Sequence, residues 1–157
     1  LLSIEFTHYN QKISGIGVRN IHGGFEFSSK DNLAISQTLK RKGITLIPYI
    51  ARSRSASLCI FESTMDYLSY FCLAQQFILE LPQYCDCLIV GDVSNFVQSI
   101  LEIDIYERVN CFFTMTDVGR TMLATLKSRD CRKIVDYSNL YFQYVSLSGY
   151  AKSSQNS

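Results

Sequence analysis

The chain has 157 residues, a formal net charge of +1, 47% hydrophobic residues and 13% aromatic residues. This length and apolar content allow one substantial core, and the low content of glycine and proline excludes a disordered or linker-like chain. No apolar run reaches the roughly 18 residues that cross a bilayer, and no signal-peptide stretch follows Leu1 and Leu2, so we expect no membrane partner. Because the sequence does not begin with Met, we expect a fragment or processed chain with further domains upstream.

The six cysteines favour buried free thiols over a disulfide framework. Cys59, Cys87 and Cys111 lie in strand-like apolar runs, and Cys72 lies in a helical one. Cys85 and Cys87 form a C-x-C with no second pair at zinc-ligand spacing, which gives a zinc site little support. This cysteine pattern predicts a reducing compartment, hence a cytoplasmic protein.

The charge is distributed unevenly along the chain. Residues 1–56 carry eight Lys or Arg against three Asp or Glu, and residues 57–157 carry seven against eleven, so +5 and −4 sum to +1. The positive charge concentrates at Lys40, Arg41, Lys42, Arg52 and Arg54. Such a patch suits a polyanion, and we predict that these residues bind DNA or RNA. The alternative is an ordinary solvated surface.

The first part of the chain is predicted to be rich in β-structure. Alternating apolar residues predict strands at 3–9, 13–19 and 24–27, with turns at 9–11 and 20–24, which together form a small antiparallel β-meander. Residues 31–42 have a helical composition and are expected to form a helix. Residues 44–50 form another β-like run, and Pro48 indicates an edge strand or a break. We therefore expect residues 1–56 to form a basic β-rich subdomain.

From Ser57 the pattern changes to alternating strands and helices. Short apolar runs predict strands at 58–61, 87–91, 109–113 and 133–136, and helical spacing predicts helices at 65–79, 94–102 and 118–129. This alternation predicts an α/β fold: a parallel, Rossmann-type sheet of about four strands with helices on both faces, spanning residues 57–145. The tail 146–157 is small and polar, and we expect it to be disordered.

Several segments resemble the motifs of one family and occur in that family's order. They are residues 58–69 with Glu62 and Asp66-x-x-Ser69; 88–96 with Ser94-Asn95; 111–120 with Gly119-Arg120; 134–138 followed by Tyr141 and Tyr144; and, upstream, His22-Gly23-Gly24-Phe25-Glu26. The order resembles the Toprim domain of primase-like proteins. The upstream segment is similar to a Gly-Gly-Tyr-Glu strand in such proteins from mobile elements of the Bacteroides type.

The resemblance implies a catalytic site at the ends of the strands. In the family, the Glu after the first strand is a general acid or base for phosphoryl transfer, and an Asp-x-Asp pair binds magnesium. Thr114 and Thr116 occupy the positions of that pair, and a later acidic pattern of the family aligns with residues 146–149, which carry no acid. Because a hard divalent cation requires negatively charged oxygen ligands, we expect metal-dependent catalysis to be impaired.

The candidate site residues have both functional and structural interpretations. Glu62 is the candidate general acid or base, or else a carboxylate near a helix N-terminus. Asp92 and Asp117 are candidate magnesium ligands in a rearranged cluster at the carboxyl ends of the strands, together with Glu62 and Asp136, or else helix caps. Arg120 is a candidate phosphate ligand, or else a surface residue of the third helix.

Three functional hypotheses follow. The first is a degenerate primase-like Toprim domain, associated with nucleic acid and with other proteins of DNA replication or mobilisation, and lacking standard metal-dependent catalysis. The second is an active Mg²⁺-dependent primase or nuclease that uses Glu62 with Asp92 and Asp117. The third is a protein-binding accessory or inhibitor module.

Overall fold

The computed structural model describes residues 1–31, 36–77 and 82–139. Its strands are β1 Leu2–His8, β2 Gln11–Arg19, β3 Phe25–Ser29, β4 Ser36–Leu39, β5 Thr45–Ile47, β6 Ser57–Phe61, β7 Cys85–Ile89, β8 Arg108–Phe112 and β9 Ile134–Asp136. Its helices are α1 Thr64–Phe77, α2 Phe96–Ile103 and α3 Asp117–Asp130, and a short 3₁₀ turn, Val93–Asn95, precedes α2. The predicted tail and the residues Tyr141 and Tyr144 lie outside the described residues.

The N-terminal sheet is an antiparallel meander in the order β1-β2-β3-β4, which confirms the predicted meander. Tyr9 and Asn10 connect β1 to β2 with φ of 46° and 62°. Positive φ at both loop residues matches the right-handed twist of a hairpin.

The prediction of a helix at residues 31–42 is wrong for the part of this segment that the structure describes. Ser36–Leu39 is the strand β4, which pairs antiparallel with β3. The side chains of the two strands also interact, because Thr38 Oγ1 donates to Glu26 Oε1 at 2.7 Å. Pairing with a neighbouring strand therefore outweighs the helical composition of the segment.

The second sheet has five strands in the order β5-β7-β6-β8-β9. The four predicted strands β6, β7, β8 and β9 are parallel to their neighbours, which confirms the parallel α/β sheet. The strand β5 is antiparallel to β7 and forms one edge, in agreement with the edge strand expected at residues 44–50. Although β5 precedes residue 56, it belongs to this second sheet; the division at residue 56 stays a prediction.

Two apolar clusters cover the opposite faces of the second sheet. One contains Leu58, Leu88 and Val109, packed with Met122 and Leu126 of α3. The other contains a column of rings, in which Phe61 stacks on Phe112 at 5.0 Å and Phe112 stacks on Tyr137 at 4.9 Å. Both faces are buried, which explains why the parallel strands read as continuous apolar runs.

The two sheets are in contact. The Ile21 N–H donates to the Ile44 carbonyl at 3.0 Å, and Lys42 pairs with Asp92 at 3.0 Å. Glu26 of β3 lies against Gly91, where a Cβ would come within 2.4 Å of the carboxyl carbon of Glu26. The N-terminal meander therefore lies beside the carboxyl end of β7.

The cysteines are free thiols, as predicted. Cys59, Cys87 and Cys111 are buried in strands, whereas Cys72 is exposed, so its predicted burial is wrong. Cys72 lies on the outward side of α1, next to the exposed Phe71. Within the described residues, no helix is both long enough and apolar enough to cross a membrane.

Candidate functional site

The candidate residues lie where the parallel strands end. Glu62 follows β6, Asp92 follows β7, Thr114 follows β8, and Asp136 ends β9. Because the strands are parallel, these positions share one edge of the sheet, which we call the carboxyl edge. This is the edge on which the sequence placed the catalytic site.

Glu62 lies at the centre of the carboxyl edge, and Thr114 holds its side chain. The backbone N–H and the Oγ1 hydroxyl of Thr114 both donate to Glu62 Oε2 at 2.5 Å. The main chain of Glu62 is also held, since its carbonyl accepts from the Gly91 N–H at 2.8 Å. Burial raises the pKa of Glu62, the two bonds from Thr114 act against that rise, and the negative charge of Asp66 adds to it.

Thr116 begins helix α3. Its side-chain oxygen accepts from the Gly119 N–H at 3.1 Å, and its extended φ and ψ are those of an N-cap residue. Gly119 allows this helix end to approach closely, because a Cβ there would lie 2.3 Å from the Thr114 carbonyl oxygen and 3.1 Å from Glu62 Oε2. Both threonines therefore have structural partners, and their hydroxyl oxygens are 3.1 Å apart.

Asp92 caps the 3₁₀ turn before α2. Its carboxylate accepts from the N–H of Ser94 at 2.8 Å and from the Ser94 hydroxyl, and pairs with Lys42. These Ser94 bonds and the Lys42 ammonium lower the pKa of Asp92 to about 2. Asp92 is thus a local cap that also contacts the connection between β4 and β5 through Lys42.

The remaining acids of the carboxyl edge also have local partners. Asp117 is in the first turn of α3 and pairs with Arg120 at 2.8 Å. Asp136 pairs with Lys127 at 3.2 Å and accepts from the Ser138 N–H at 2.9 Å. Burial acts to raise the pKa of Asp136, but the bonds from Ser138 and Lys127 outweigh it and lower that pKa.

The residues present do not fit a magnesium site. Across residues 1–31, 36–77 and 82–139, no three His, Cys, Asp or Glu side chains lie together in a group that could hold a metal ion. The carboxylate of Glu62 is occupied by Thr114, and two neutral hydroxyls stand beside it. Mg²⁺ requires near-octahedral coordination by oxygen atoms, usually one or two carboxylates with water, and the hydroxyls of Thr114 and Thr116 carry no charge.

The predicted nucleic-acid-binding residues lie at two opposite ends of the sheet. Lys40, Arg41 and Lys42 precede β5, which runs against β7, so they lie beside the carboxyl edge; Arg120 lies there on α3. Arg52 and Arg54 follow β5 and lie at the amino ends of the parallel strands, near the start of β6. The antiparallel direction of β5 therefore divides the patch that looked continuous in the sequence.

Several of these cations are already paired. Lys42 pairs with Asp92, Arg120 with Asp117, and Arg54 with Glu102 at 2.9 Å. Lys40 and Arg41 are exposed and, within the described part of the chain, have no acidic side chain at ion-pair distance. Among the predicted nucleic-acid-binding residues, the uncompensated cations beside the carboxyl edge are therefore Lys40 and Arg41.

Two acids, Glu26 and Asp86, are buried in the structure but were not predicted from the sequence to be so. Glu26 is 5% exposed, and burial raises its pKa, partly offset by the bond from Thr38. Asp86 is 2% exposed and accepts from the N–H groups of Tyr49 and Ser55. Asp86 stands in an apolar strand run, and a charged residue at such a position is the sequence signal for a buried, paired acid.

Comparison with known proteins supports the fold. No family model and no curated protein matches this chain. Among solved structures, the primase fragment of the bacteriophage T7 primase-helicase protein matches with a TM-score of 0.55 and 14% identity, over 85% of this chain. This chain spans 56% of that fragment. At this identity the likeness shows a primase-like fold and nothing about activity.

A second structure is similar but too distant to add support. It is the bacteriophage T7 lagging-strand DNA polymerase interacting with primase domains of two gp4 subunits bound to an RNA/DNA hybrid and dTTP. It matches with a TM-score of 0.45 and 13% identity, over 85% of this chain and 69% of that one.

Proposed function

We propose that this chain is a degenerate Toprim domain of the mobile-element, Bacteroides-type primase-like kind, which binds a nucleic acid backbone in replication or mobilisation of DNA and lacks standard metal-dependent catalysis. The observation that supports it best is the hydrogen bonding of Glu62 by Thr114. Thr114 stands at the position where the family resemblance expects a metal-binding acid. Because Thr114 is neutral and its two short hydrogen bonds engage Glu62 Oε2, this pair offers a metal ion less negative charge than two acids would.

Nucleic acid would contact the carboxyl edge through Lys40 and Arg41. With two uncompensated cations, counterion release predicts a slope of about −1.4 for log affinity against log salt on a single strand. The affinity is expected to be weak and independent of sequence, because a phosphate contact carries no base information.

A salt titration tests this proposal. Fluorescence anisotropy with labelled single-stranded DNA and RNA should show binding that weakens steadily between about 25 and 300 mM salt, and Lys40→Ala or Arg41→Ala should each remove about 0.7 from the slope. Arg52→Ala is the matched control, since Arg52 is exposed at the opposite end of the sheet and should leave the slope unchanged. Absence of binding at low salt would remove the nucleic-acid part of the proposal.

A metal titration separates this proposal from the active enzyme. Calorimetry with Mg²⁺ or Mn²⁺ should show no saturable binding to the unmodified chain. Saturable binding that disappears in Asp117→Asn, with phosphoryl-transfer activity lost in Glu62→Gln, would instead establish the Mg²⁺-dependent primase or nuclease.

One surface favours the protein-binding alternative. Val93, Val97, Leu101 and Ile105 recur every four residues along α2 and its flanks, and are 50–71% exposed. An apolar stripe of this kind marks a contact surface. This second function would be supported if a replication protein binds the unmodified chain and Val97→Lys abolishes that binding, while salt-sensitive DNA binding persists.

A further inference from the structure

A cluster of three thiols lies on the face of the second sheet that α1 covers. Cys85 and Cys87 are two residues apart on β7 and therefore point to the same face. Cys59 is the register partner of Cys87 on the neighbouring strand β6. All three belong to the apolar cluster that also contains Phe61 and Tyr70.

These thiols line a pocket of about 260 Å³ with aromatic walls. Tyr49, Phe61, Tyr70 and Phe71 contribute rings to the lining, and Tyr84 stands at its edge near the exposed loop. An apolar cavity of about 150 Å³ is large enough for benzene, so this pocket has room for a ligand with one or two rings.

The pocket wall contains a hydroxyl with an unmet hydrogen bond. Tyr70 is 2% exposed, and within the described residues its Oη has no hydrogen-bond partner. Leaving a buried hydroxyl unpaired costs about 1–3 kcal/mol. Burial raises the pKa of Tyr70, so the phenol stays protonated and can donate to a carbonyl oxygen of a ligand.

The three thiols differ in their chemistry. The Cys85 thiol donates to the Gln83 carbonyl at 3.3 Å, and its sulfur accepts from Asn110 Nδ2 at 3.8 Å. The pKa of Cys85 is lowered, first by the hydrogen bond from the Cys59 thiol and also by the positive charge of Arg108. The pKa of Cys59 is raised, because it is the donor in its contacts with Cys85 and Cys87. Between Cys59 and Cys85, Cys85 is therefore the thiol that more readily becomes a nucleophile.

We propose that Cys85 is a modification site for small aromatic α,β-unsaturated carbonyl compounds, which the aromatic pocket binds beside its sulfur. In the reaction the Cys85 proton leaves to solvent and a bond forms between Sγ and the β-carbon of the ligand. The carbon–carbon π bond breaks, its electron pair moves toward the carbonyl oxygen, and the α-carbon then takes a proton from water. The addition needs no oxidant or reductant, and it is independent of the carboxyl edge.

Competition among the cysteines of the folded chain tests this site. Cys72 and Cys131 are exposed and Cys85 is buried, so exposure alone predicts that the first two react fastest. With limiting N-phenylmaleimide, peptide mapping by mass spectrometry should instead find Cys85 modified roughly tenfold faster than either, because the pocket holds the ring next to the Cys85 sulfur. With iodoacetamide, which has no ring, Cys72 and Cys131 should react first. In urea the preference for Cys85 should disappear.

Two variants refine the test. Tyr70→Phe removes the unpaired hydroxyl and should keep the fold while slowing the modification of Cys85 by the maleimide but not by iodoacetamide. Tyr67→Phe is the matched control, since it removes a hydroxyl of the same helix from a residue that does not line the pocket and should leave the rate of Cys85 modification unchanged. If N-phenylmaleimide modifies Cys72 and Cys131 while Cys85 stays free, the proposal is wrong, and this result requires no variant to fold.

Discussion

Introducing an acidic pair at positions 114 and 116 should make the stability of the carboxyl edge depend on bound metal. In Thr114→Asp/Thr116→Asp, the new carboxylate at position 114 replaces a hydroxyl that now lies 2.5 Å from Glu62 Oε2. Two negative charges about 4 Å apart repel by about 4 kcal/mol at an effective dielectric constant of about 20. Without metal, the double variant should therefore lose about that much free energy of unfolding near pH 7.

Magnesium should offset most of this loss. At a free Mg²⁺ concentration about 100 times the dissociation constant, bound metal adds about 2.7 kcal/mol to the free energy of unfolding. The unmodified chain should show no such gain, because the hydroxyls of Thr114 and Thr116 carry no charge. Urea denaturation with and without Mg²⁺, followed by circular dichroism, measures both quantities.

The single variants separate charge from capping. Thr116→Asp alone should change stability little, since Asp is as good an N-cap as Thr and the bond from the Gly119 N–H can be kept. Thr121→Asp adds the same charge at an exposed position of α3 and controls for net charge. If the double variant is no less stable than the unmodified chain without metal, or gains nothing from Mg²⁺, the role assigned here to Thr114 is refuted.

Three further predictions concern buried groups. Asp86→Ala should lower the free energy of unfolding by about 3–5 kcal/mol in urea denaturation, because it leaves the N–H groups of Tyr49 and Ser55 without a partner. A loss below about 1 kcal/mol would show that water takes the place of the carboxylate. Glu26→Gln should raise the free energy of unfolding at neutral pH, because the raised pKa of Glu26 means that its ionised form disfavours the folded state. This gain should vanish as the pH falls below 4.5, where the carboxyl is protonated in both the folded and the unfolded state. A gain that is independent of pH would contradict this. Gly119→Ala should lower the free energy of unfolding by about 1–3 kcal/mol, because the added Cβ would lie 2.3 Å from the Thr114 carbonyl oxygen. An unchanged thermal midpoint would show that α3 can shift outward.

The elements of the second sheet were predictable because their signals are local. A strand buried on both faces is a short apolar run, and Leu58, Leu88 and Val109 all lie in such runs. The helices between them have apolar residues at helical spacing, and the structure places all three where the pattern predicted. Residues 78 and 79 of the first predicted helix lie outside the described part of the chain. The segment 31–42 failed because its strand depends on pairing with β3, which no local pattern contains.

The site was predictable only to the level of an edge. The positions after the apolar strands had to meet at one side of a parallel sheet, so Glu62, Asp92 and Asp117 were found in the right region. Their partners were not predictable, because Thr114 is 52 residues from Glu62 and Lys42 is 50 residues from Asp92. Hydrogen bonds at such separations depend on the register of strands that are distant in sequence.

The sequence by itself determined the strand and helix alternation, the edge that carries the candidate acids, and the two neutral residues, Thr114 and Thr116, after the third parallel strand. Only the tertiary structure decided that Thr114 donates to Glu62, that Glu26 reaches Gly91 from the other sheet, and that three thiols share one pocket. It also decided that Lys40 and Arg52 lie at opposite ends of the sheet, because β5 runs antiparallel to β7. Local burial leaves a periodic pattern in the sequence, whereas contacts between distant segments depend on strand order and direction, which composition does not encode.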